Sequence, residues 1–225
     1  MSKQCLAIPR ATLERYDFWD DLLQKSALAL PTETLQRLIA DIDRAKMFYD
    51  RYGEHGIEQD SSLQQIICYG VLRQGNKFLV YQRPHDTAVY HEGRLASKLS
   101  AGVGGHIEPS DASIMESLHR EIDEEVRFMR GKKVITLVND KGKLADWAQF
   151  HILGLLKEED EEVGKMHMGI AVEVQIDPDI QATIREGENL ESWMLTRAAY
   201  DQMVSSGAAY PETWTTYMLD KLLFA

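Results

Sequence analysis

Cysteine is scarce in this 225-residue chain, which has only Cys5 and Cys68. A disulfide-stapled secreted scaffold needs more of them, so we expect a reducing compartment, the cytoplasm. No apolar run approaches the ~20 residues of a membrane span. The first ten residues, MSKQCLAIPR, have no apolar h-region. We therefore expect neither a secretory signal nor a membrane partner.

Positive charge is also in deficit. The chain has 25 Lys and Arg against 36 Asp and Glu, a formal net charge of −11. It lacks the basic field that holds a nucleic-acid backbone, so a nucleic-acid polymer is excluded as a partner. If the chain handles a phosphorylated small molecule, metal cations must bring the two anions together.

The rest of the composition, with 44% apolar and 27% charged residues, is that of an ordinary globular protein. Within residues 1–60, Leu35, Leu38 and Ile42 recur at helical spacing, which predicts a helical N-terminal extension. We expect such an extension to pack on the core or on a second subunit. In the second case the protein would be a homodimer. Residues 61–225 are expected to form a second domain.

Short β-rich runs fill much of residues 61–225, interleaved with one central and two terminal helical patterns. This arrangement predicts an α/β (α+β) fold in which a mixed sheet lies between helices. Gln74–Asn76 is expected to form a hairpin turn. The C-terminal helices are expected to follow Thr196 as N-cap and to begin at Pro211.

The central helix is predicted to start at Ile114, because Ser113 and Glu116 have the spacing of a capping box. It is predicted to run to Arg130, with Gly131 just beyond its end.

Glu121, Glu124 and Glu125 stand at positions i, i+3 and i+4 of this helix, beside its apolar stripe. Two such charges about 5 Å apart repel by roughly 3 kcal/mol at an effective dielectric near 20. A half-buried group of this kind either holds protons or binds cations, and oxygen ligands favour Mg²⁺ or Mn²⁺. Arg120, four residues before Glu124, can orient or neutralise one of the three.

A solvated helix face is the simpler interpretation of this hexapeptide, REIDEE. The glycines immediately upstream, Gly102, Gly104 and Gly105, favour the functional one. They allow a backbone with free carbonyls and amides to approach the helix closely. A carbonyl there can add a metal ligand, and amides can hold a phosphate oxygen.

The spacing Gly105-x5-Asp111, followed by Arg120-Glu121-Ile122-x-Glu124-Glu125, resembles the signature of the Nudix hydrolases. That signature is G-x5-E-x7-R-E-U-x-E-E-x-G-U, where U is bulky and aliphatic. The motif covers about 24 residues, and the surrounding strand order is similar over roughly residues 62–225, outside the N-terminal region.

The resemblance implies metal-dependent hydrolysis of a diphosphate linkage in a nucleoside diphosphate derivative or a similar phosphorylated small molecule. Glu121, Glu124 and Glu125 would be the ligands of Mg²⁺ or Mn²⁺, with the Gly105 carbonyl as a fourth. Arg120 would position Glu124 or Glu121.

Three departures from the signature stand out. Asp111 replaces a glutamate, eight residues rather than seven separate it from Arg120, and Arg127 replaces a glycine. The extra residue falls before or at the helix N-cap, where a loop can absorb it. Asp111 and Arg127 give weight to an alternative, a weak or inactive Nudix-like domain that binds a nucleotide or phosphometabolite as a regulatory module. The intact Arg120-Glu121 and Glu124-Glu125 pairs argue against it. A diphosphate isomerase, also found on this fold, would need a well-placed cysteine that we do not identify.

Several further residues are candidates for substrate contact. His106 follows the glycines. Glu161 belongs to an acidic cluster, Glu158 to Glu162, which is interpreted as a solvated turn. Alternatively, one of its glutamates moves into the site to bind a second metal or to accept the proton of the attacking water. His167 is interpreted as a structural histidine. The cations expected near substrate phosphates are Arg83, Arg94 and Lys98.

Overall fold

The computed structural model describes residues 4–45, 47–83, 96–139, 142–185, 190–207 and 209–225. The described helices are α1 (Arg10–Leu13), α2 (Trp19–Lys25), α3 (Thr32–Arg44), α4 (Ile114–Glu125), α5 (Glu162–Met166), α6 (Arg197–Ser205) and α7 (Thr213–Met218). A 3-10 turn covers Ile57–Gln59, and a π-helical turn follows α7 at Leu219–Leu223.

The described strands alternate with these helices along the chain. They are β1 (Gln4–Pro9), β2 (Ala27–Ala29), β3 (Phe48–Asp50), β4 (Leu63–Gln74), β5 (Lys77–Gln82), β6 (Leu99–Ser100), β7 (Gly102–Val103), β8 (Val126–Arg130), β9 (Lys133–Ile135), β10 (Ala148–Lys157), β11 (His167–Ile176), β12 (Ile180–Ile184) and β13 (Ser192–Thr196).

A mixed sheet forms the centre of the fold, with strand order β13-β5-β4-β11-β10-β2. β4 and β11 are parallel, and β10 is antiparallel to β11. Side chains of β4 alternate between two cores. Cys68 packs in a cluster with Leu118 of α4, whereas Val71 packs with Tyr200 of α6 and Met218 of α7. The predicted mixed sheet between helices is confirmed.

The N-terminal region differs from the expected all-helical extension. It contains α1, α2 and α3, but also strands that join the sheet: β1 pairs with β4, and β2 pairs with β10. The reason lies in a short, fully apolar run, Cys5 to Ile8, which is buried and ends at a proline. Four residues bury both faces as a strand but are too few for a stable helix. The division into domains at residue 60 stays a prediction.

The central helix begins where its capping box predicts but ends earlier than expected. Residues 126–130 form β8, which pairs with β12 and β9, so the predicted extension to Arg130 is wrong. Val126 and Phe128 are buried while Arg127 is exposed, which is the alternation of a strand. Gly131, with φ +61°, occupies the turn into β9 rather than a helix end.

Other local predictions hold with small shifts. Gly75, at φ +59°, forms the β4–β5 hairpin turn. Thr196 caps α6 by accepting a hydrogen bond from the Ala199 amide at 3.3 Å. The last helix starts at Thr213, two residues after the expected Pro211. In the part of the chain that is described, no helix combines the length and the apolar character that crossing a bilayer requires.

Candidate active site

Helix α4 is anchored so that its carboxylates lie beside the core. The Ser113 hydroxyl accepts a hydrogen bond from the Glu116 amide at 3.1 Å, which fixes the start of the helix. Ile114, Leu118 and Ile122 are fully buried on its inner face. Glu121 immediately precedes Ile122 and lies beside this face, so its carboxylate is at the boundary between core and solvent.

The glycine bend meets α4 at Glu121. Gly104 has φ +145°, and a side chain there would overlap the Cys68 carbonyl oxygen. A Cβ on Gly105 would lie 2.8 Å from the Glu121 carboxyl carbon. Gly105 therefore allows the bend to approach the Glu121 side chain closely, and Gly104 allows the bend to pass next to β4.

Arg120 is the hub of the site. Its Nε and Nη2 atoms donate to the two Asp111 carboxylate oxygens, each at 2.9 Å. Its Nη1 atom donates to Glu121 Oε1 at 2.8 Å and to Glu124 Oε2 at 3.4 Å. A single guanidinium nitrogen therefore reaches two of the carboxylates that the sequence singled out.

Burial differs sharply among these carboxylates. The Glu121 side chain is 15% exposed, whereas the Glu124 side chain is 60% exposed. Burial raises the pKa of Glu121 above its ordinary value, Arg120 opposes the shift, and the charges of Glu124 and Glu108 add to it. The expected sheltering therefore applies to Glu121 but not to Glu124, which lies at the solvent edge of the face.

Glu125 is half-buried at the last turn of α4. Its carbonyl accepts a hydrogen bond from the Arg185 amide at 2.6 Å. Burial is the main cause of the raised pKa of Tyr81 on β5. Arg83 lowers that pKa, and the charges of Glu212 and Glu125 raise it. The role of Glu125 as a metal ligand stays a prediction.

Asp111 has a role that sequence reasoning did not assign to it. Its side chain is 3% exposed and also accepts a hydrogen bond from the Glu108 amide at 2.8 Å. Burial alone would raise its pKa, but the hydrogen bonds from Arg120 and the Glu108 amide outweigh burial and lower it. Asp111 stands where the Nudix signature has its first glutamate, and that position was the sequence feature that could have indicated its role. The eight-residue spacer does not prevent the contact.

The Gly105 carbonyl, predicted as a fourth metal ligand, accepts a hydrogen bond from the Cys68 amide at 3.2 Å. One lone pair is thus directed toward β4, and a ligand role would use the other. This role stays a prediction.

The predicted phosphate-binding cations lie in different settings. Arg83 donates to the buried Glu212 carboxylate at 3.1 Å and is itself 15% exposed. Lys98 is half-buried, and its carbonyl accepts a hydrogen bond from the Arg83 amide at 3.0 Å. Arg94 lies outside the described residues. Substrate contact by these residues stays a prediction.

The acidic loop after β10 folds around a buried lysine. Lys157 is fully buried and forms an ion pair with Glu159 at 2.6 Å. Glu158 is also buried and accepts hydrogen bonds from the amides of Asp160 and Glu161. Glu161 itself is exposed. The loop is therefore more than a solvated turn, since Glu158 and Glu159 stabilise it, while the predicted role of Glu161 stays open to test.

The backbone and the ring of His106 contact different groups of residues. Its carbonyl accepts a hydrogen bond from Arg120 Nη2 at 3.2 Å, next to the carboxylates. Its ring Nε2 atom lies 2.8 Å from Gln65 Oε1 and 3.2 Å from His167 Nε2. The backbone thus belongs to the α4 site, whereas the ring joins a second cluster. Its predicted contact with substrate stays a prediction.

The mixed sheet carries α4 on one face, and the glycine bend precedes α4 in the chain. The solved structure of Tm1382, a protein proposed to be a Nudix hydrolase, is similar over 95% of this chain and 94% of that one. The two are 17% identical, with a TM-score of 0.64. This likeness confirms the fold that the resemblance implied.

A curated protein is similar along nearly the whole chain. YmaB of Bacillus subtilis (strain 168) is 27% identical over 215 residues, which span 90% of this chain and 93% of YmaB. No family model matches the chain. The likeness to YmaB therefore extends well beyond the glycine bend and α4.

Proposed function

We propose that the protein hydrolyses a diphosphate linkage in a nucleoside diphosphate derivative or similar phosphorylated small molecule, with the help of Mg²⁺ or Mn²⁺. The observation that carries the proposal is the Arg120 hub. It joins Asp111, Glu121 and Glu124 at the point where the glycine bend meets α4.

The donor set suits a hard divalent cation. Glu121, Glu124 and Glu125 offer carboxylate oxygens, the ligands that Mg²⁺ and Mn²⁺ prefer. The raised pKa of Glu121 reflects a burial cost for its charge that a bound cation would offset. When bound, the ion supplies Lewis-acid stabilisation for the negative charge that develops on phosphate oxygens.

The protein's own residues supply the geometry. Asp111 fixes the guanidinium of Arg120 through two parallel hydrogen bonds, the arrangement that gives the most directional ion pair. Arg120 in turn fixes Glu121. The Glu121 carboxylate is therefore held in place before substrate arrives, so it requires little reorganisation during the reaction.

Charge also favours a small substrate over a polymer. The net charge of −11 repels a polyanionic backbone, whereas a single diphosphate can be accepted at one cation-loaded site. We further propose cytoplasmic location, in keeping with two cysteines that both remain free and buried. A homodimer through the N-terminal region stays a prediction.

The test is hydrolysis of a panel of nucleoside diphosphate derivatives by the full chain, with and without Mg²⁺. Glu121→Gln and Glu124→Gln should each lower kcat by at least about 100-fold. Glu116→Gln is the matched control, because Glu116 is an exposed glutamate elsewhere on α4. It should keep wild-type turnover.

Unchanged turnover in both glutamine variants would contradict the proposal. Ligand binding without Mg²⁺ and without product over hours would instead favour the regulatory binding module.

A further inference from the structure

A second cluster of metal-ligating side chains lies behind the glycine bend. Ligand atoms of Glu58, His106 and His167 all lie within 4.8 Å of one another. The three residues come from separate parts of the chain. Glu58 is in the 3-10 turn before β4, His106 follows the glycine bend, and His167 begins β11.

We propose that Glu58, His106 and His167 bind one transition-metal cation of the Zn²⁺ type, distinct from the ion expected at α4. The Nε2 atoms of the two histidines are 3.2 Å apart. Two imidazoles on a tetrahedral ion with Zn–N bonds of 2.0–2.1 Å have their nitrogens about 3.3 Å apart. The rings therefore already have the separation that a shared ion requires.

The Nε2 atom of His106 has two close polar neighbours. His106 Nε2 holds at most one proton, yet it lies 2.8 Å from Gln65 Oε1 and 3.2 Å from His167 Nε2. The Gln65 oxygen accepts from the Cys5 thiol, and its amide nitrogen donates to the Ile57 carbonyl, so it is the oxygen that faces His106. A single shared proton makes at most a three-centre hydrogen bond here, whereas a cation between the two Nε2 atoms would take a lone pair from each ring.

The surroundings have the features of a supported metal site. His167 and Gln65 are direct partners on the parallel strands β11 and β4, which hold their side chains next to each other. Arg51 donates to Glu58 Oε1 at 2.8 Å, as outer-shell groups do for ligating carboxylates. We assign the other oxygen, Oε2, to the metal. The Glu58 side chain is 24% exposed, which gives an ion a route in from solvent.

The ligand types separate this cation from the one at α4. Imidazole nitrogens suit Zn²⁺, Ni²⁺ or Cu²⁺, whereas the carboxylates of α4 suit Mg²⁺ or Mn²⁺. The nearby Cys5 thiol donates to Gln65 Oε1 at 3.4 Å, and Cys5 is not among the three residues whose ligand atoms converge. A bound ion would tie the segment before β4 to the sheet. It would also fix His106, whose carbonyl holds Arg120.

The test is calorimetric titration of the metal-free full chain with Zn²⁺, in saturating Mg²⁺ to occupy α4. Wild type should bind one Zn²⁺ per chain. His167→Gln and Glu58→Gln should weaken binding by more than about 100-fold, since loss of an outer-shell partner alone costs about 10–100-fold. His151→Gln, which changes an exposed histidine of β10, and Glu124→Gln should bind as wild type does.

Zn²⁺ binding that survives in both ligand variants, or that disappears in Glu124→Gln, would overturn the proposal. If His167→Gln does not fold, X-ray absorption of Zn²⁺-loaded wild type decides the matter. Two imidazole nitrogens in the coordination shell are expected, and a shell of oxygens only would refute the site. None of these outcomes bears on hydrolysis at α4, so the two proposals can fail separately.

Discussion

Replacing Asp111 tests whether the Arg120 hub stabilises the fold as well as the site. The Asp111 side chain is 3% exposed and the Arg120 side chain 22% exposed. Asp111→Ala removes both hydrogen bonds from Arg120 and the one from the Glu108 amide. Removing one partner of a buried ion pair costs about 3–5 kcal/mol, and the partial exposure of Arg120 places the expected loss near the lower end.

A loss of about 3 kcal/mol corresponds to a fall in Tm of roughly 6–12 °C for a chain of this size. Thermal unfolding followed by circular dichroism measures it directly. Asp111→Asn keeps the shape but not the charge, so it should fall within about 1 kcal/mol of Asp111→Ala. Near-wild-type stability in the asparagine variant would mean that packing, not the ion pair, matters at this position.

A double-mutant cycle with Arg120→Ala isolates the pair itself. We expect a coupling free energy of about 1.5–3 kcal/mol between positions 111 and 120. Values below about 0.5 kcal/mol would refute the reasoning. Asp111→Ala should also lower kcat, since Glu121 loses its positioning group.

The remaining predictions concern Glu121, Gly105 and acid stability. Glu121→Gln should raise the Tm of the metal-free protein while lowering kcat by at least about 100-fold. Because the pKa of Glu121 is raised above 4.5, its charge costs stability above the folded-state pKa, and that cost vanishes below pH 4.5. Unfolding curves at pH 7 and pH 4 check this, and a lower Tm in the variant at pH 7 would contradict it. For Asp111 the dependence of stability on pH is reversed. Its pKa is lowered, so the stability that its charge contributes is present above pH 3.8 and is lost as pH falls through the folded-state pKa. The stability gap between wild type and Asp111→Asn should therefore close in strong acid. Gly105→Ala should lower kcat by about 10–100-fold, because the added Cβ meets the Glu121 carboxyl group at 2.8 Å. Full activity in that variant would show that the close approach is dispensable.

Local chemistry explains which parts of the fold could be predicted. The start of α4 follows from the Ser113 cap, and the β4–β5 turn follows from Gly75, since each depends on neighbours in sequence. The end of α4 does not, because β8 exists through pairing with β12, about 50 residues further along the chain. Burial of β1 against β4 likewise depends on a distant partner.

The candidate site also combines contacts between sequence neighbours, which could be predicted, with contacts between distant residues, which could not. Helical spacing places Glu121 and Glu124 near Arg120, which the structure brings together. The pairing of His106 with His167 depends on the parallel register of β4 and β11, which no local pattern reveals. The ion pair of Arg83 with Glu212 likewise could not be predicted from local sequence, because it links positions 129 residues apart.

The central claim is that the carboxylates of α4 hold a divalent cation. Electron paramagnetic resonance of Mn²⁺ added to the full chain measures such binding without a substrate. We predict that Glu121→Gln and Glu124→Gln weaken Mn²⁺ binding by more than about 10-fold, while Glu116→Gln binds as wild type does. Equal affinity in all four proteins would contradict the claim.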